Sequence, residues 1–330
     1  MISSFSSRCC SDNKQEHQFD QVKVKRTSSS SATITTGDVA DPEVWEFGSG
    51  YSEISWGAAS KRGGRVQQQD AFVVGKRCGL PDTALFGVFD GHGSPGGGNA
   101  SRTAAKVLPK IIFKHLSRRS PSKSVAMAIK GAFVEFDHYL SIQSENEIPK
   151  EGFLNWLFGN RANPGFRQSG TCAVLALVGP SNVYLINLGD SQGLTLQGAV
   201  TRMHRASNTT EAKRIYWAGG FVVDGYVNGE LMPTRSFGDF QFKSGNLSRP
   251  DEQIVLCVPD IIEIPRTNVG GAVVLASDGI FDVLSLTQVQ GLCTELADRP
   301  ADEVARMIVN KALELGSRDN VTCVVVYMHV

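Results

Sequence analysis

The order of the apolar segments is the feature that most constrains the fold of this chain. Short apolar runs of strand length come first, two helical patterns follow, a longer series of strand-like runs comes next, and two helices and one strand complete the sequence. This order does not alternate strand with helix, as a parallel doubly wound sheet requires. Blocks of strands separated by blocks of helices favour antiparallel sheets with helices on the outside, so we predict an α+β fold.

Helices are predicted where apolar residues recur at spacings of three and four. The first covers residues 99–116, with Asn99 as its N-terminal cap. The others are predicted over residues 122–140, 210–218, 286–297 and 300–315. Strands are predicted for the apolar runs EISWGAAS, DAFVVGK, ALFGVFDGHG, TCAVLALVG, NVYLINLGDSQG, EQIVLCV, GAVVLASDG and NVTCVVVYMHV.

The overall composition narrows the class of protein. The chain has 330 residues, of which 41% are hydrophobic, so it can bury a sizeable core. Lys and Arg number 33, as do Asp and Glu, and this balance gives no support for nucleic-acid binding. No apolar run approaches the ~18 residues of a membrane-spanning helix. The seven cysteines include no CxxC pair, and no apolar signal region follows Met1, which favours the cytoplasm or the nucleus.

The N-terminal segment differs in composition from the rest of the chain. Residues 1–46 are rich in Ser, Thr, Lys and Gln and include the run SSSSATITTGD, so we predict a disordered tail followed by one folded domain at residues 47–330. Cys9 and Cys10 are adjacent in this tail, and S-acylation there would attach the chain to a membrane. The simpler interpretation is that both are ordinary thiols.

Aspartates follow or precede several of the predicted strands. Asp90, Asp190 and Asp278 each end an apolar run, and Asp319 precedes the last strand. If the last strand is antiparallel to the strand before Asp278, both acids lie at the same sheet edge, and Asp282 can join them from the turn. Clustered carboxylates repel each other unless a cation lies among them, and oxygen-only ligands favour Mg²⁺ or Mn²⁺. The alternative is that these aspartates serve only ordinary turns.

A second motif suggests a different function and is rejected. GHGSPG, residues 91–96, matches the GxGxxG pattern of dinucleotide-binding loops and lies between a predicted strand and a helix. No strand ending in an acid follows about 20 residues later, as that site requires. Asp90 would also place a negative charge beside the pyrophosphate, so we exclude a dinucleotide site.

Seven motifs taken in order resemble those of the metal-dependent protein phosphatase 2C family, and the resemblance covers residues 50–330. It implies a four-layer α/β/β/α sandwich of two antiparallel sheets flanked by helices. It also implies hydrolysis of phosphoserine and phosphothreonine in a phosphoprotein substrate by a metal-activated water, and we expect a monomer. The motifs are GRVQQQDAF, LFGVFDGHG, QSGTCAVLALV, YLINLGDSQG, DGYVNGELMPTRSFGDF, LASDGIFDVLS and SRDNVTCVVV.

The resemblance also implies a set of metal ligands for two Mg²⁺ or Mn²⁺ ions. Asp90 would bridge the two ions, and the backbone carbonyl of Gly91 would bind one of them. Asp278 and Asp319 would bind the other ion, and Asp70 would act through a metal-bound water.

Further roles follow from the same resemblance. Arg65 would bind the substrate phosphate, and His92 would be the general acid for the leaving oxygen. Asp190 and Asp282, together with Asp278, resemble a weaker third metal site.

The sequence departs from the common family pattern at five positions. Gln69 replaces the usual Glu, which removes a charge near the metal site, so two functions stay open: an active phosphatase, or a phosphatase-like binding module with a weakened site. Pro233 falls in a predicted strand and indicates an edge or a bulge. The remaining departures are Gln192, Met203 and Ala206.

Three further expectations concern the surroundings of the site. A substrate flap is expected near residues 203–225. Arg235 and Asp239 are expected to order the segment after the flap rather than to act in catalysis. The aromatic segment Phe153–Phe166 is expected to bury its side chains locally, and the alternative is a docking surface for a partner.

Overall fold

A computed structural model of the chain describes residues 35–36, 54–77, 82–93, 97–120, 124–146, 165–243 and 249–328. Of the predicted tail at residues 1–46, only Thr35–Thr36 is described, and Cys9 and Cys10 lie outside the described residues. Most of the aromatic segment at residues 153–166 also lies outside them. Its last residue, Phe166, is described and is buried.

The first sheet has five strands, which run antiparallel to their neighbours except at one edge. Its strands are β1 (Thr35–Thr36), β2 (Ile54–Lys61), β7 (Gln192–Thr195), β12 (Ala272–Ala276) and β13 (Val321–Met328). They lie in the order β1–β2–β13–β12–β7, and the short β1 pairs in parallel with β2.

The second sheet is antiparallel and has six strands. They are β3 (Ala71–Arg77), β4 (Ala84–His92), β5 (Gly170–Val178), β6 (Asn182–Leu188), β10 (Phe237–Gly238) and β11 (Asp260–Pro265). The main path is β11–β6–β5–β4–β3, and β10 pairs with the start of β5. A separate two-stranded hairpin consists of β8 (Val222–Val223) and β9 (Tyr226–Val227).

Helices cover the outer face of each sheet. The described helices are α1 (Gly97–Ser117), α2 (Val125–Asn146), α3 (Thr209–Trp217), α4 (Asp278–Phe281), α5 (Leu286–Glu295) and α6 (Ala301–Glu314). Helices α1 and α2 pack on the second sheet, whereas α5 and α6 pack on the first. None of the helices in the described part of the chain is long and apolar enough to cross a membrane.

The alternation of side chains along the strands produces three separate apolar layers. In β4, Leu85 and Phe89 face α1 and α2, whereas Phe86 and Val88 face the other sheet. Successive side chains of a strand point to opposite faces, so a strand with both faces covered is apolar throughout. The predicted four-layer α/β/β/α sandwich is therefore confirmed.

Two predictions of local structure were wrong. Asn99 is not a helix cap, because α1 begins at Gly97, and the Asn99 side chain instead accepts a hydrogen bond from Arg102. Residues 252–258 do not form a strand. Val255 and Leu256 are buried as the apolar pattern required, but a single bridge between Leu256 and Arg235 replaces a strand ladder.

The antiparallel pairing brings the predicted site residues to one end of the sandwich. Ala276 at the end of β12 is opposite Cys323 near the start of β13, so Asp278 and Asp319 lie at the same edge of the first sheet. In the second sheet, Asp90 near the end of β4 is opposite Cys172 near the start of β5. The site is thus assembled from strand ends of both sheets.

Candidate active site

A cleft of about 530 Å³ opens at this end of the sandwich. One side is acidic and comes from the strand ends. The other side comes from the β8–β9 hairpin and the segment after it, and carries larger side chains. The lining includes Arg65, Gln69, Asp90, Gly91, His92, Asp190, Tyr226, Glu230, Leu231, Met232, Asp239, Asp278, Asp282 and Asp319.

Asp70 directly precedes β3 and is buried beneath the cleft. Its Oδ2 accepts hydrogen bonds from Thr322 Oγ1 at 2.6 Å and Ser277 Oγ at 3.0 Å, which fix the carboxyl group. Its Oδ1 is buried without a hydrogen-bond partner. Burial raises the pKa of Asp70 to about 7 despite these two hydroxyl donors. A buried carboxylate oxygen without a donor is a suitable ligand for a cation.

Asp90 and Asp278 also lie where negative charge is unfavourable. Burial raises the pKa of Asp90 well above its ordinary range, and the charges of Asp278 and Asp70 raise it further. Burial likewise raises the pKa of Asp278 to about 8, with a contribution from Asp190. Carboxyl groups that resist ionisation near one another are stabilised as carboxylates when a cation binds between them.

Gly91 lies between these acids and has no room for a side chain. A Cβ atom at this position would lie 2.4 Å from the backbone oxygen of Gln69 and 2.5 Å from that of Gly97. Only glycine therefore allows the end of β4 to approach these two segments so closely. This packing holds the backbone of Gly91 at the cleft, where the sequence predicted a carbonyl ligand.

Arg65 and Asp319 are bound to each other in this structure. The guanidinium group donates from Nε to Oδ1 at 2.7 Å and from Nη2 to Oδ2 at 2.5 Å. The hydrogen bond to Asp319 raises the pKa of Arg65. The sequence predicted a phosphate ligand in Arg65 and a metal ligand in Asp319, so this pair must open before both residues can take those roles.

His92 contacts Asp239, which the sequence prediction had placed outside catalysis. His92 Nε2 lies 2.7 Å from Asp239 Oδ2. Burial lowers the pKa of His92, but the Asp239 carboxylate and further acids outweigh it, so the pKa lies above its ordinary value. This contact could not be predicted from the sequence, because 147 residues separate the two positions.

Arg205 lies in the site but was not predicted from the sequence as a site residue. Its Nε donates to Asp190 at 3.2 Å, and its Nη2 lies 3.1 Å from Asp282 and 3.5 Å from Asp278. Burial lowers the pKa of Arg205, but Asp190 and the other acids outweigh it and raise the pKa overall. These are the three acids assigned by resemblance to a third metal, so an internal cation already lies among them. The sequence feature that could have indicated this role is the basic residue Arg205 within the motif RMHRASN, which departs from the common family pattern.

Gln69 interacts chiefly with the backbone. Its Nε2 donates to the carbonyl of Gly93 at 2.9 Å, its N–H donates to Asn320 at 2.8 Å, and its carbonyl accepts from Ser101. A glutamate could not donate to Gly93, so the amide has a structural role that a carboxylate would lack. Within the described residues, no three acids, imidazoles or thiols are already gathered at metal-ligand spacing, so the acids of the cleft would have to move closer together to hold an ion.

Two of the other departures from the family pattern, Gln192 and Pro233, have local explanations, whereas nothing in the structure explains Met203 or Ala206. Gln192 donates from Nε2 to the carbonyl of Thr201 at 2.9 Å. Pro233 forms only an isolated bridge with Arg205, which agrees with the predicted interruption of a strand. Ala206 is buried and Met203 is half-buried.

The predicted flap contains α3 and the start of the hairpin. Glu211 in the first turn of α3 binds Arg214 at 2.9 Å and Arg235 at 2.6 Å. Arg235 also binds Asp260 at 2.9 Å, at the start of β11. These ion pairs connect α3 to the second sheet, so Arg235 orders the segment after the flap.

Comparison with known proteins defines the class. The sequence profile of the family Protein phosphatase 2C matches residues 54–321. The chain is 30% identical over 294 residues to Protein phosphatase 1A from Homo sapiens, covering 83% of this chain and 70% of that protein. It is 33% identical over 293 residues to Protein phosphatase 1B from Mus musculus, with the same two coverages. The chain therefore belongs to the protein phosphatase 2C family of serine/threonine phosphatases.

Solved structures agree with this fold. The structure of a C. elegans sex determining protein superposes with a TM-score of 0.66 at 28% identity, covering 84% of this chain and 65% of that one. Serine-threonine phosphatase 2C from Toxoplasma gondii superposes with a TM-score of 0.65 at 21% identity, covering 85% and 96%. These comparisons give no support to the alternative of a non-catalytic binding module.

Proposed function

We propose that this chain hydrolyses phosphoserine and phosphothreonine in proteins with the help of two Mg²⁺ or Mn²⁺ ions. One observation carries the proposal: Asp90 and Asp278 line one cleft, and Asp70 is buried beside Asp90. All three have raised pKa values, and a carboxylate oxygen of Asp70 is buried without a hydrogen-bond partner. Such a set of oxygen ligands fits a hard divalent cation. Bound ions would lower the pKa of a water and offset the negative charge of the phosphate.

The proposed metal ligands come from different elements of the fold. Asp90 and the carbonyl of Gly91 come from the end of β4, Asp278 from the start of α4, and Asp319 from the residue pair before β13. Asp70 lies behind them, held by two hydroxyl donors, and would act on water at the ions. We propose two ions rather than three, because Arg205 already contacts Asp190, Asp278 and Asp282.

Arg65 and His92 would act on the substrate itself. The planar guanidinium of Arg65 would exchange its paired contact with Asp319 for two phosphate oxygens, a change between ligands of similar geometry. Protonated His92 would donate its proton to the seryl or threonyl oxygen as the bond to phosphorus breaks. The β8–β9 side of the cleft would receive the peptide around the phosphorylated residue.

The direct test is hydrolysis of p-nitrophenyl phosphate and of a phosphothreonine peptide while Mn²⁺ is titrated into the millimolar range. We expect metal-dependent turnover in the wild type and its loss in Asp90→Asn. Asp298→Asn changes an exposed aspartate after α5 and serves as the matched control, with unchanged turnover. Absence of any metal-dependent rate in the wild type would disprove the proposed function.

We also propose that the substrate is a phosphoprotein of the cytoplasm or the nucleus. This rests on the odd number of cysteines and on the four described cysteines, which are all buried free thiols. Fluorescence microscopy of a tagged chain tests the proposal, and accumulation in a secretory compartment would contradict it.

A further inference from the structure

The carboxylate of Asp239 is buried directly against the ring of His92. The side chain of Asp239 is 3% exposed, and its Oδ2 lies 2.7 Å from His92 Nε2 and accepts from Ser236 Oγ at 2.5 Å. A carboxylate only accepts hydrogen bonds, so the ring must donate from Nε2. That leaves Nδ1 as the ring nitrogen available to a substrate.

The chain adopts an unfavourable backbone conformation to place this carboxylate. Asp239 has φ +51° and follows Gly238 at φ +77°, so two successive residues are left-handed. For a residue other than glycine this conformation costs on the order of 1 kcal/mol. The N–H of Asp239 donates to the carbonyl of Ser169 at 3.0 Å, which fixes the turn against the start of β5.

Space for the carboxylate comes from Gly170. This glycine is opposite His92 in the β4–β5 pairing, and a Cβ on it would lie 2.2 Å from Asp239 Oδ2. The absence of a side chain at this position therefore lets Asp239, which directly follows β10, reach the imidazole ring across β5.

A buried ion pair on α2 supports the same turn. The carboxylate of Asp137 accepts from the N–H of Gly238 at 2.9 Å and from Lys243 Nζ at 2.9 Å. Lys243 Nζ also donates to the carbonyl of Ser236 at 2.9 Å. The turn that carries Asp239 is thus held from both ends, by contacts that do not themselves reach the cleft.

We propose that Asp239 is a positioning residue that fixes the ring orientation and the Nε2 proton of His92, so that Nδ1 faces the leaving oxygen of the substrate. The role rests on the proposed function, in which His92 gives its proton to a seryl or threonyl oxygen. A carboxylate that binds one nitrogen of an imidazole determines which nitrogen is free for proton transfer.

Leaving-group dependence separates this role from a merely structural one. A threonyl oxygen needs a proton as it leaves, whereas p-nitrophenolate is stable as an anion. We expect Asp239→Asn to lower kcat on a phosphothreonine peptide by about 100-fold, the smaller end of the usual contribution of general acid catalysis. On p-nitrophenyl phosphate kcat should fall less than about threefold, and KM should be unchanged for both substrates.

His92→Gln is the matched variant and should show the same selective loss. Because the two residues act as one unit, the double variant should lose little beyond either single variant. If Asp239→Asn fails to fold, as judged by circular dichroism, Ser236→Ala replaces it. Ser236→Ala removes one hydrogen bond to the carboxylate without touching the ring, and should give a smaller loss with the same preference for the peptide substrate.

Two outcomes overturn the inference in different ways. Equal losses on both substrates in a folded Asp239→Asn or Ser236→Ala protein, or losses that multiply in the double variant, would show that Asp239 only maintains the structure. A wild type that hydrolyses neither substrate at any Mn²⁺ concentration would overturn the proposed function, and the role of Asp239 with it.

Discussion

Glu211 in α3 forms ion pairs with two arginines outside the cleft, and its replacement by Gln gives a quantitative test. Its Oε1 accepts from Arg235 Nη2 at 2.6 Å, and its Oε2 accepts from Arg214 Nη2 at 2.9 Å and Thr234 Oγ1 at 2.8 Å. Burial raises the pKa of Glu211, but the two guanidinium groups outweigh it and lower the pKa to about 2.

The size of the effect follows from that pKa. A fall from 4.5 to about 2 corresponds to roughly 3 kcal/mol at about 1.36 kcal/mol per pKa unit. Nearby solvent screens part of this electrostatic stabilisation, which leaves about 2 kcal/mol. Glu211→Gln also leaves the half-buried guanidinium group of Arg214 without a carboxylate, whereas Arg235 keeps its contact with Asp260. We therefore expect a loss of about 2 to 3 kcal/mol in the free energy of unfolding, or roughly 3 to 5 °C in Tm for a folded domain of this size.

The sign of the pH dependence is also determined. Because the pKa of Glu211 is lowered in the folded state, its stabilising effect is complete above the unfolded value near 4.5 and is lost as pH falls toward about 2. The difference in stability between wild type and Glu211→Gln should therefore be largest at neutral pH and shrink on acidification through this range.

Thermal and urea denaturation followed by circular dichroism would measure both quantities. Glu252→Gln is the matched control, because Glu252 pairs with Arg249 at 2.9 Å on an exposed surface. Its removal should change stability by less than about 0.5 kcal/mol. If Glu211→Gln melted within about 2 °C of this control, or if the difference were the same at pH 7 and pH 3, the reasoning would be refuted.

Three further perturbations test other contacts. Gly57→Ala would place a Cβ 1.9 Å from the backbone nitrogen of Asp302 and should lower Tm by several degrees, whereas Gly291→Ala, with no atom within 4 Å, should leave Tm unchanged or raise it. Lys243→Met leaves the buried Asp137 without its cation and should lower the free energy of unfolding by about 3 kcal/mol, as measured by urea denaturation. An unchanged free energy of unfolding would show that this ion pair does not stabilise the fold. Gln69→Glu should tighten Mn²⁺ binding in calorimetry, and an unchanged Kd would show that position 69 does not reach the ions.

The layered architecture was predictable because it depends on the order and length of apolar segments. Block order indicated antiparallel sheets with helices on the outside, and the family resemblance implied that there are two such sheets. Residues 252–258 were misassigned because burial and strand pairing have the same apolar pattern. In this segment the carbonyls of Gln253 and Ile254 accept hydrogen bonds from Arg214 Nη1 rather than from a neighbouring strand. The pattern of apolar residues cannot predict such a contact.

The acidic residues of the cleft were predictable for a related reason. Asp90, Asp278 and Asp319 lie at strand ends, and antiparallel pairing brings such ends together. The cationic and positioning partners were not predictable in this way. Arg205 and Asp239 come from irregular segments, where no periodicity links a residue to the strand that it will contact.

The position of Arg205 has a consequence for how the acidic cluster responds to its surroundings. A guanidinium group on the chain cannot be removed by a chelator, and it remains charged throughout the physiological pH range. Asp190, Asp278 and Asp282 therefore keep a counter-charge whatever the supply of divalent ions. This part of the cleft should retain its shape in chelator-treated protein, so that an incoming ion meets a partly assembled site rather than a set of mutually repelling acids.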